Sequence, residues 1–181
     1  MTKFIVSGPE CSGKTTLAQN LSSEYNLKLV REYARDFLNK NKNFYEYKDL
    51  IKIANQQYLD EKKYKYEESC ICDTDLITIK IWSEFKYQKC DPWIKEKLHE
   101  QVTENRIYLL CKPDIKWKYD PQRESEHNRD EIFDIYLKEI QEQNQPYVII
   151  KGDKRFDQAK KFLDEIINWV KINSIILHYL L

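Results

Sequence analysis

At 181 residues, the chain has the length of one ordinary domain, enough to bury a full core without disulfides or a structural metal. Thirty Lys and Arg side chains balance thirty Asp and Glu, so no global field favours nucleic acid or an anionic membrane, and any phosphate site has to come from local clusters. The five cysteines (Cys11, Cys70, Cys72, Cys90, Cys111) form no C-x-x-C pair and no metal set with His99, His127 and His178, which reads as reduced thiols of a cytoplasmic protein; nor is any apolar run long enough to cross a bilayer.

Short apolar runs alternate with long helical patterns, which predicts an α/β fold with a parallel five-stranded sheet flanked by helices. The first strand, Lys3–Ser7, runs directly into Gly8-Pro9-Glu10-Cys11-Ser12-Gly13-Lys14-Thr15-Thr16. This is the G-x-x-x-x-G-K-[ST] phosphate loop in its strand-loop-helix setting. Two of only three glycines in the chain stand at the required spacing, where they let backbone N–H groups curl around phosphate oxygens, and the helix about Lys14–Glu24 adds its positive end. Lys14 is expected to reach the β- and γ-phosphates, and Thr15 to ligate Mg²⁺.

A second strand, Leu27–Val30, ends in Arg31-Glu32-Tyr33-Ala34-Arg35-Asp36 as a helix about Tyr33–Lys40 begins. Ligands of open α/β sheets gather at the carboxyl ends of strands. A carboxylate there can hold or deprotonate an attacking hydroxyl and an arginine can clamp a phosphate; otherwise Glu32 simply complements the helix dipole. A long helix follows near Glu46–Glu67, and its run Glu61-Lys62-Lys63-Tyr64-Lys65-Tyr66 reads as a solvated face rather than a nucleic-acid surface, because acidic neighbours flank it.

The third strand, Ser69–Asp73, carries Cys70 and Cys72 as core fillers and ends in Asp73-Thr74-Asp75. Asp73 is the stronger candidate for the Mg²⁺ shell or for orienting the nucleophile. Asp75 is either part of the site or the cap of the helix about Leu76–Lys86. Another helix, about Pro92–Glu104, opens with a capping Asp91 and a proline at the first turn. Trp82, Trp93 and Trp169 are assigned to packing.

After the fourth strand, Arg106–Cys111, the segment Pro113–Ser125 lacks periodicity and is rich in charge and aromatics, as lids are. Within it stand Trp117, Tyr119, Asp120 and Arg123, with Arg129 just beyond. The arginines either close over phosphates or form surface pairs, and the aromatic rings either stack on a flat ligand or pack. Helices about Glu126–Asn144 and Arg155–Asn173 flank a fifth strand, Tyr147–Lys151. The apolar tail Ile175–Leu181 either docks on the core or joins a second copy as a homo-oligomer.

Taken in order, Gly8–Thr16, Arg31-Glu32-Tyr33-Ala34-Arg35, Cys72-Asp73-Thr74-Asp75 followed by Thr78, and Trp117, Asp120 and Arg123 followed by Arg129 resemble the ribosylnicotinamide kinase domain at the C-terminal end of NadR-type proteins. The resemblance covers nearly the whole chain, and proteins of similar framework include AAA-type ATPases. It implies a P-loop NTPase fold of nucleoside/nucleotide-kinase type with a lid at about 113–130. The cofactors implied are ATP and Mg²⁺, and the reaction is transfer of the γ-phosphate to the 5′-hydroxyl of nicotinamide riboside. Lys14, Thr15 and the loop backbone would then hold ATP and Mg²⁺, with Asp73 a second metal ligand. Glu32 and Asp73 would position or activate the hydroxyl. Tyr33, Arg35, Asp75 and Asp120 would contact the substrate, Arg123 and Arg129 would close from the lid, and Trp117 or Tyr119 would stack on the cationic ring. No adenylyltransferase domain is expected before Gly8. A kinase for another nucleoside or nucleotide, or an ATP-hydrolysing switch, remains the alternative. A guanine-reading Asn/Thr-Lys-x-Asp motif is absent, since Cys111-Lys112-Pro113-Asp114 lacks its leading residue.

Overall fold

A computed structural model describes residues 1–64 and 69–179, with side chains described as far as residue 168. Its strands are β1 (Lys3–Ser7), β2 (Lys28–Val30), β3 (Cys70–Asp73), β4 (Arg106–Cys111) and β5 (Tyr147–Ile150). They form one five-stranded sheet in the order β2-β3-β1-β4-β5, with every pairing parallel. Parallel neighbours need crossover connections, and helices supply them: α1 (Lys14–Tyr25), α2 (Tyr33–Lys40), α3 (Tyr47–Lys62), α4 (Leu76–Tyr87), α5 (Pro92–Gln101), α6 (Arg129–Glu142) and α7 (Arg155–Tyr179).

Strand alternation sorts the core into two layers. Ile5, Cys70, Cys72, Tyr108 and Leu110 face a cluster with Leu50 and Ile53 of α3, Leu76 and Ile77 of α4, and Tyr136 and Ile140 of α6. Phe4, Val6, Ile71, Leu109 and Cys111 face Leu17 and Leu21 of α1 and Ala159 and Leu163 of α7. The register sets Val6 beside Asp73 and Ser7 beside Leu110. The ends of the three central strands therefore open onto one edge, where β1 gives way to the glycine loop.

Most predicted elements stand within a residue or two of their expected bounds. Helix α5 stops at Gln101, short of the expected Glu104, because the chain turns to bring the Glu104 carboxylate onto Lys3 (2.7 Å) and Arg106 (2.9 Å). Helix α6 begins at Arg129, three residues later than expected, which lengthens the irregular segment after β4. The Asp91 carboxylate accepts the Trp93 N–H at 2.9 Å with Pro92 behind it, the predicted start of α5. Residues 65 and 66 of the basic-aromatic run and its acidic neighbours 67 and 68 lie outside the described residues, as do the side chains of Trp169 and of the apolar tail. Among the described residues, no helix is long and apolar enough to cross a membrane.

Candidate active site

The loop between β1 and α1 requires its first glycine on two counts. Gly8 has φ +134°, and a Cβ there would sit 2.5 Å from the Cys111 carbonyl oxygen, so the residue must be without a side chain. Gly13, at φ +83°, precedes α1 without supplying a side-chain cap, which leaves the first N–H groups of the helix free for an anion. Ser12 ties the loop together by donating to the Pro9 carbonyl at 2.7 Å, and Lys14 Nζ donates to the same oxygen at 2.7 Å. Arg155 braces the loop from behind, donating to the carbonyls of Ser12 (3.1 Å) and Lys112 (2.9 Å) and pairing with Asp114.

Two carboxylates share the field of Lys14. Asp73, at the tip of β3, is buried. Burial pushes its carboxyl above the ordinary range, while Lys14 and a hydrogen bond from Thr15 oppose that rise. Glu32, at the cap of α2, is raised by burial and by Asp73, with Lys14 and Arg35 acting in the opposite sense. The Asp73 Oδ1 has no hydrogen-bond partner. An unpaired buried carboxylate oxygen beside the Thr15 hydroxyl fits Mg²⁺, which takes one or two protein oxygens and draws the rest of its shell from phosphate and water. Thr74, buried and next in sequence, has φ +70°. That is an outlying conformation for a β-branched residue, held by its N–H on the Val6 carbonyl at 3.0 Å.

From Lys14 a cleft of about 240 Å³ runs away from the loop. Glu32, Arg35 and Leu38 of α2 form one side, with Gln57 of α3 behind them. Thr78, Trp82, Phe85 and Lys86 of α4 form the other, and Tyr136 of α6 adds to the wall. Residues 122–125 roof the cleft. Glu10, within the glycine loop, accepts the N–H groups of Glu124 (2.9 Å) and Ser125 (3.0 Å). Glu124 in turn takes the Tyr45 hydroxyl (3.0 Å) and Lys86 (2.8 Å). Tyr45 accepts the indole N–H of Trp82 at 2.9 Å. A continuous hydrogen-bonded path therefore links the aromatic wall, the roof and the glycine loop.

The structure gathers Lys14, Thr15, Glu32, Arg35, Arg123 and the loop residues Gly8–Thr16 around this cleft, with Asp73 against Thr15. It places six other candidates elsewhere. Asp75 is fully buried, caps α4 by accepting the Ile77 N–H at 3.1 Å, and spends its second oxygen on Arg106 (3.0 Å) and the Tyr108 hydroxyl (2.7 Å), so its role is structural. The Tyr33 ring packs into the core near Phe37 and only its backbone N–H turns toward Gln57. Tyr119 is 86 % exposed. The ring of Trp117 lies under the guanidinium groups of Arg123 and Arg129, at 5.8 and 5.4 Å, and acts as their platform. Arg129 itself donates to the carbonyls of Cys11 (3.3 Å) and Ile115 (3.1 Å) and so braces the loop outside the cleft wall. Asp120 positions Arg35 by accepting from it at 3.1 Å.

Sequence reasoning missed Gln57, Lys86, Tyr136 and Arg155 and assigned Trp82 to packing. The α4 residues carried a usable signal: Thr78, Trp82, Phe85 and Lys86 recur at helical spacing on one face directly after the acidic strand end.

A parallel sheet with the glycine loop at its central strand, a strand-end aspartate and an arginine-bearing roof define a P-loop fold of the nucleoside-kinase class. The profile of a family described as an AAA domain matches residues 3–155, and the chain belongs to that family. The trifunctional NAD biosynthesis/regulator protein NadR of Escherichia coli (strain K12) is 24 % identical over 172 residues, 89 % of this chain and 42 % of that protein. The chain thus spans about two fifths of the length of the curated relatives it matches. A solved NadR protein in complex with NAD and AMP-PNP superposes with a TM-score of 0.70 at 20 % identity, covering 91 % of this chain and 49 % of that one. Deoxyadenosine kinase from M. mycoides with bound dATP gives a TM-score of 0.59 at 16 % identity, covering 91 % of this chain and all of the other.

Proposed function

We propose that the protein is an ATP-dependent kinase that transfers the γ-phosphoryl group to the 5′-hydroxyl of nicotinamide riboside. The observation that carries this reading is that Glu32 and Asp73 both lie within the field of Lys14, with Glu32 and Lys14 lining a cleft that also bears the rings of Trp82 and Phe85. Asp73, which is buried, can serve the phosphate end through Mg²⁺, but a second, half-buried carboxylate at Glu32 in the field of the same lysine has no use in phosphate binding alone, since it repels the ligand. It suits a hydroxyl that must be oriented and deprotonated as phosphorus is attacked.

In this reading Lys14 and the N–H groups at the start of α1 hold the β- and γ-phosphates. Thr15 and Asp73 hold Mg²⁺, which supplies charge neutralisation on the transferring group. Glu32, raised by burial, accepts the hydroxyl proton, and Arg123 approaches from the roof as negative charge shifts to the leaving oxygen. The aromatic wall of Trp82 and Phe85 offers electron-rich faces to a flat ring, and the positively charged nicotinamide gains more from them than a neutral base does. The relatives' names agree with this choice: NadR is named for NAD biosynthesis, and one superposed NadR structure, at a TM-score of 0.69, is titled as a complex with NR.

The test is acceptor-dependent ADP formation from Mg-ATP, with nicotinamide riboside beside a panel of common nucleosides and the product mass recorded. A product at the mass of nicotinamide mononucleotide is expected. Turnover of a different nucleoside alone would replace the acceptor and keep the chemistry, as the likeness to deoxyadenosine kinase allows. ADP formation indifferent to every acceptor would sink the kinase reading.

A further inference from the structure

Gln57 combines three properties. It is buried to 1 % exposure, it stands in the wall of the cleft, and its amide nitrogen has no hydrogen-bond partner among the described residues. The orientation of the amide is settled by chemistry. Its Oε1 accepts the backbone N–H of Tyr33 at 2.9 Å, and an N–H can bond only to the oxygen, so the nitrogen cannot occupy that place. Two N–H donors therefore remain at Nε2 with nothing to receive them. Buried donors are almost always paired, and one left open beside a binding cleft marks the place of a ligand acceptor. No acceptor among the described residues takes Gln57 Nε2, although Glu32, Thr78 and Tyr136 stand in the same cleft.

Resting on the nicotinamide riboside reading, we infer that Gln57 Nε2 donates to a carbonyl oxygen carried by the acceptor's ring, here that of the carboxamide. Gln57 is then a specificity-determining residue. Trp82 and Phe85 accept any flat cationic ring, whereas a donor without an acceptor penalises a ring that lacks the carbonyl. The asymmetry is large because the unfit ligand not only loses a bond but seals the donor away from water.

The experiment compares kcat/KM for nicotinamide riboside with that for the riboside of unsubstituted pyridinium, which keeps the cation and the 5′-hydroxyl and lacks the carbonyl. The wild-type enzyme is expected to prefer nicotinamide riboside by at least ~10-fold. Gln57→Glu keeps an oxygen for the Tyr33 N–H and removes the donors, so the preference should fall to within about threefold of unity, the loss lying with nicotinamide riboside. A merely structural glutamine would depress both ribosides alike and leave the ratio where it was, and that result overturns the inference. Should the variant not fold, the wild-type comparison still decides, because equal kcat/KM for the two ribosides overturns the inference while leaving the kinase reading intact. Turnover of neither riboside overturns the proposed acceptor and this inference together.

Discussion

Lys14 carries much of the proposed site on one charge, since it stands in the glycine loop and lowers the proton affinity of both Glu32 and Asp73. Lys14→Ala should cut acceptor-dependent ADP formation by about 10²–10³, the usual loss of a preorganised charge at a transferring group; a rate within tenfold of wild type would remove it from the chemistry. The two carboxylates also make a stability prediction of definite sign. Their folded-state proton affinities lie above the ordinary range, so the native state binds a proton more tightly than the unfolded chain does. Below the ordinary carboxylate range both states are protonated and nothing is lost. As the pH rises through the shifted values the native state has to carry a disfavoured charge, and stability falls. Asp73→Asn and Glu32→Gln should therefore raise Tm near neutral pH and slow transfer at the same time, with the Tm difference shrinking as the pH is lowered to 4. A lower Tm at neutral pH in both variants would show that the partners, not the burial, dominate. These residues were legible in the sequence because strand ends are where α/β chemistry collects. Gln57 was not, since nothing in a helical Gln-Gln pair says which amide meets a backbone N–H and which meets water.

At the scale of elements, the roof over the cleft is held by the glycine loop itself. Glu10 accepts two successive N–H groups from residues 124 and 125, and its carboxyl is pushed upward by burial and drawn back by those same N–H groups. In the proposed reaction, phosphate occupancy of the loop and closure over the acceptor would thus share one side chain, the arrangement expected where a lid has to exclude water before transfer. Glu10→Ala should raise the acceptor KM by about tenfold, the equivalent of ~1.4 kcal/mol of lost closure, and should raise ADP formed per product molecule. A ratio that stays near one would return Glu10 to a packing role. The irregular segment between β4 and α6 followed from its missing periodicity, and its ends did not. Trp117 and Tyr119 looked like ring-stacking groups because their chemistry suits it. One, however, supports the two lid arginines and the other faces solvent, and the ring wall comes instead from α4, where Trp82 is held by Tyr45. Burial pushes the Tyr45 hydroxyl up to about 12, so it remains a donor to Glu124 across the working range of pH. Local pattern identified the helix and its periodicity; which face met the cleft was decided by the packing of α4 between α3 and α6.

Across the whole molecule, charge is divided between two ends of the sheet. At the carboxyl ends of the strands Glu32 and Asp73 carry raised carboxyls, which cost stability once charged. On the opposite side, Lys3 and Arg106, paired across β1 and β4, are buried with Glu61 and Asp75 and joined by Glu104 in a network of contacts from 2.7 to 3.4 Å. Such a network is strongly destabilised by removal of one member, which leaves its partner charged and unpaired. Glu104 is the accessible handle, being only partly buried and outside the cleft. Burial pushes its carboxyl up, but Lys3, Lys62 and Arg106 outweigh that and hold it at about 2, against 4.5 ordinarily. A depressed carboxyl contributes stability that is fully present above the ordinary value and is lost as the pH falls through the folded one. Glu104→Gln should therefore lower unfolding free energy by roughly 2–3 kcal/mol at pH 7. The gap to wild type should narrow between about pH 4.5 and pH 2, read from urea unfolding across that range. Because this network lies away from the transferring phosphate, kcat and the acceptor KM should hold at temperatures where both proteins are folded. A Glu104→Gln protein as stable as wild type but slower would mean that Asp75, tied to Arg106 and capping α4, transmits the network to the wall bearing Thr78 and Trp82. The two ends of the sheet would then act as one unit.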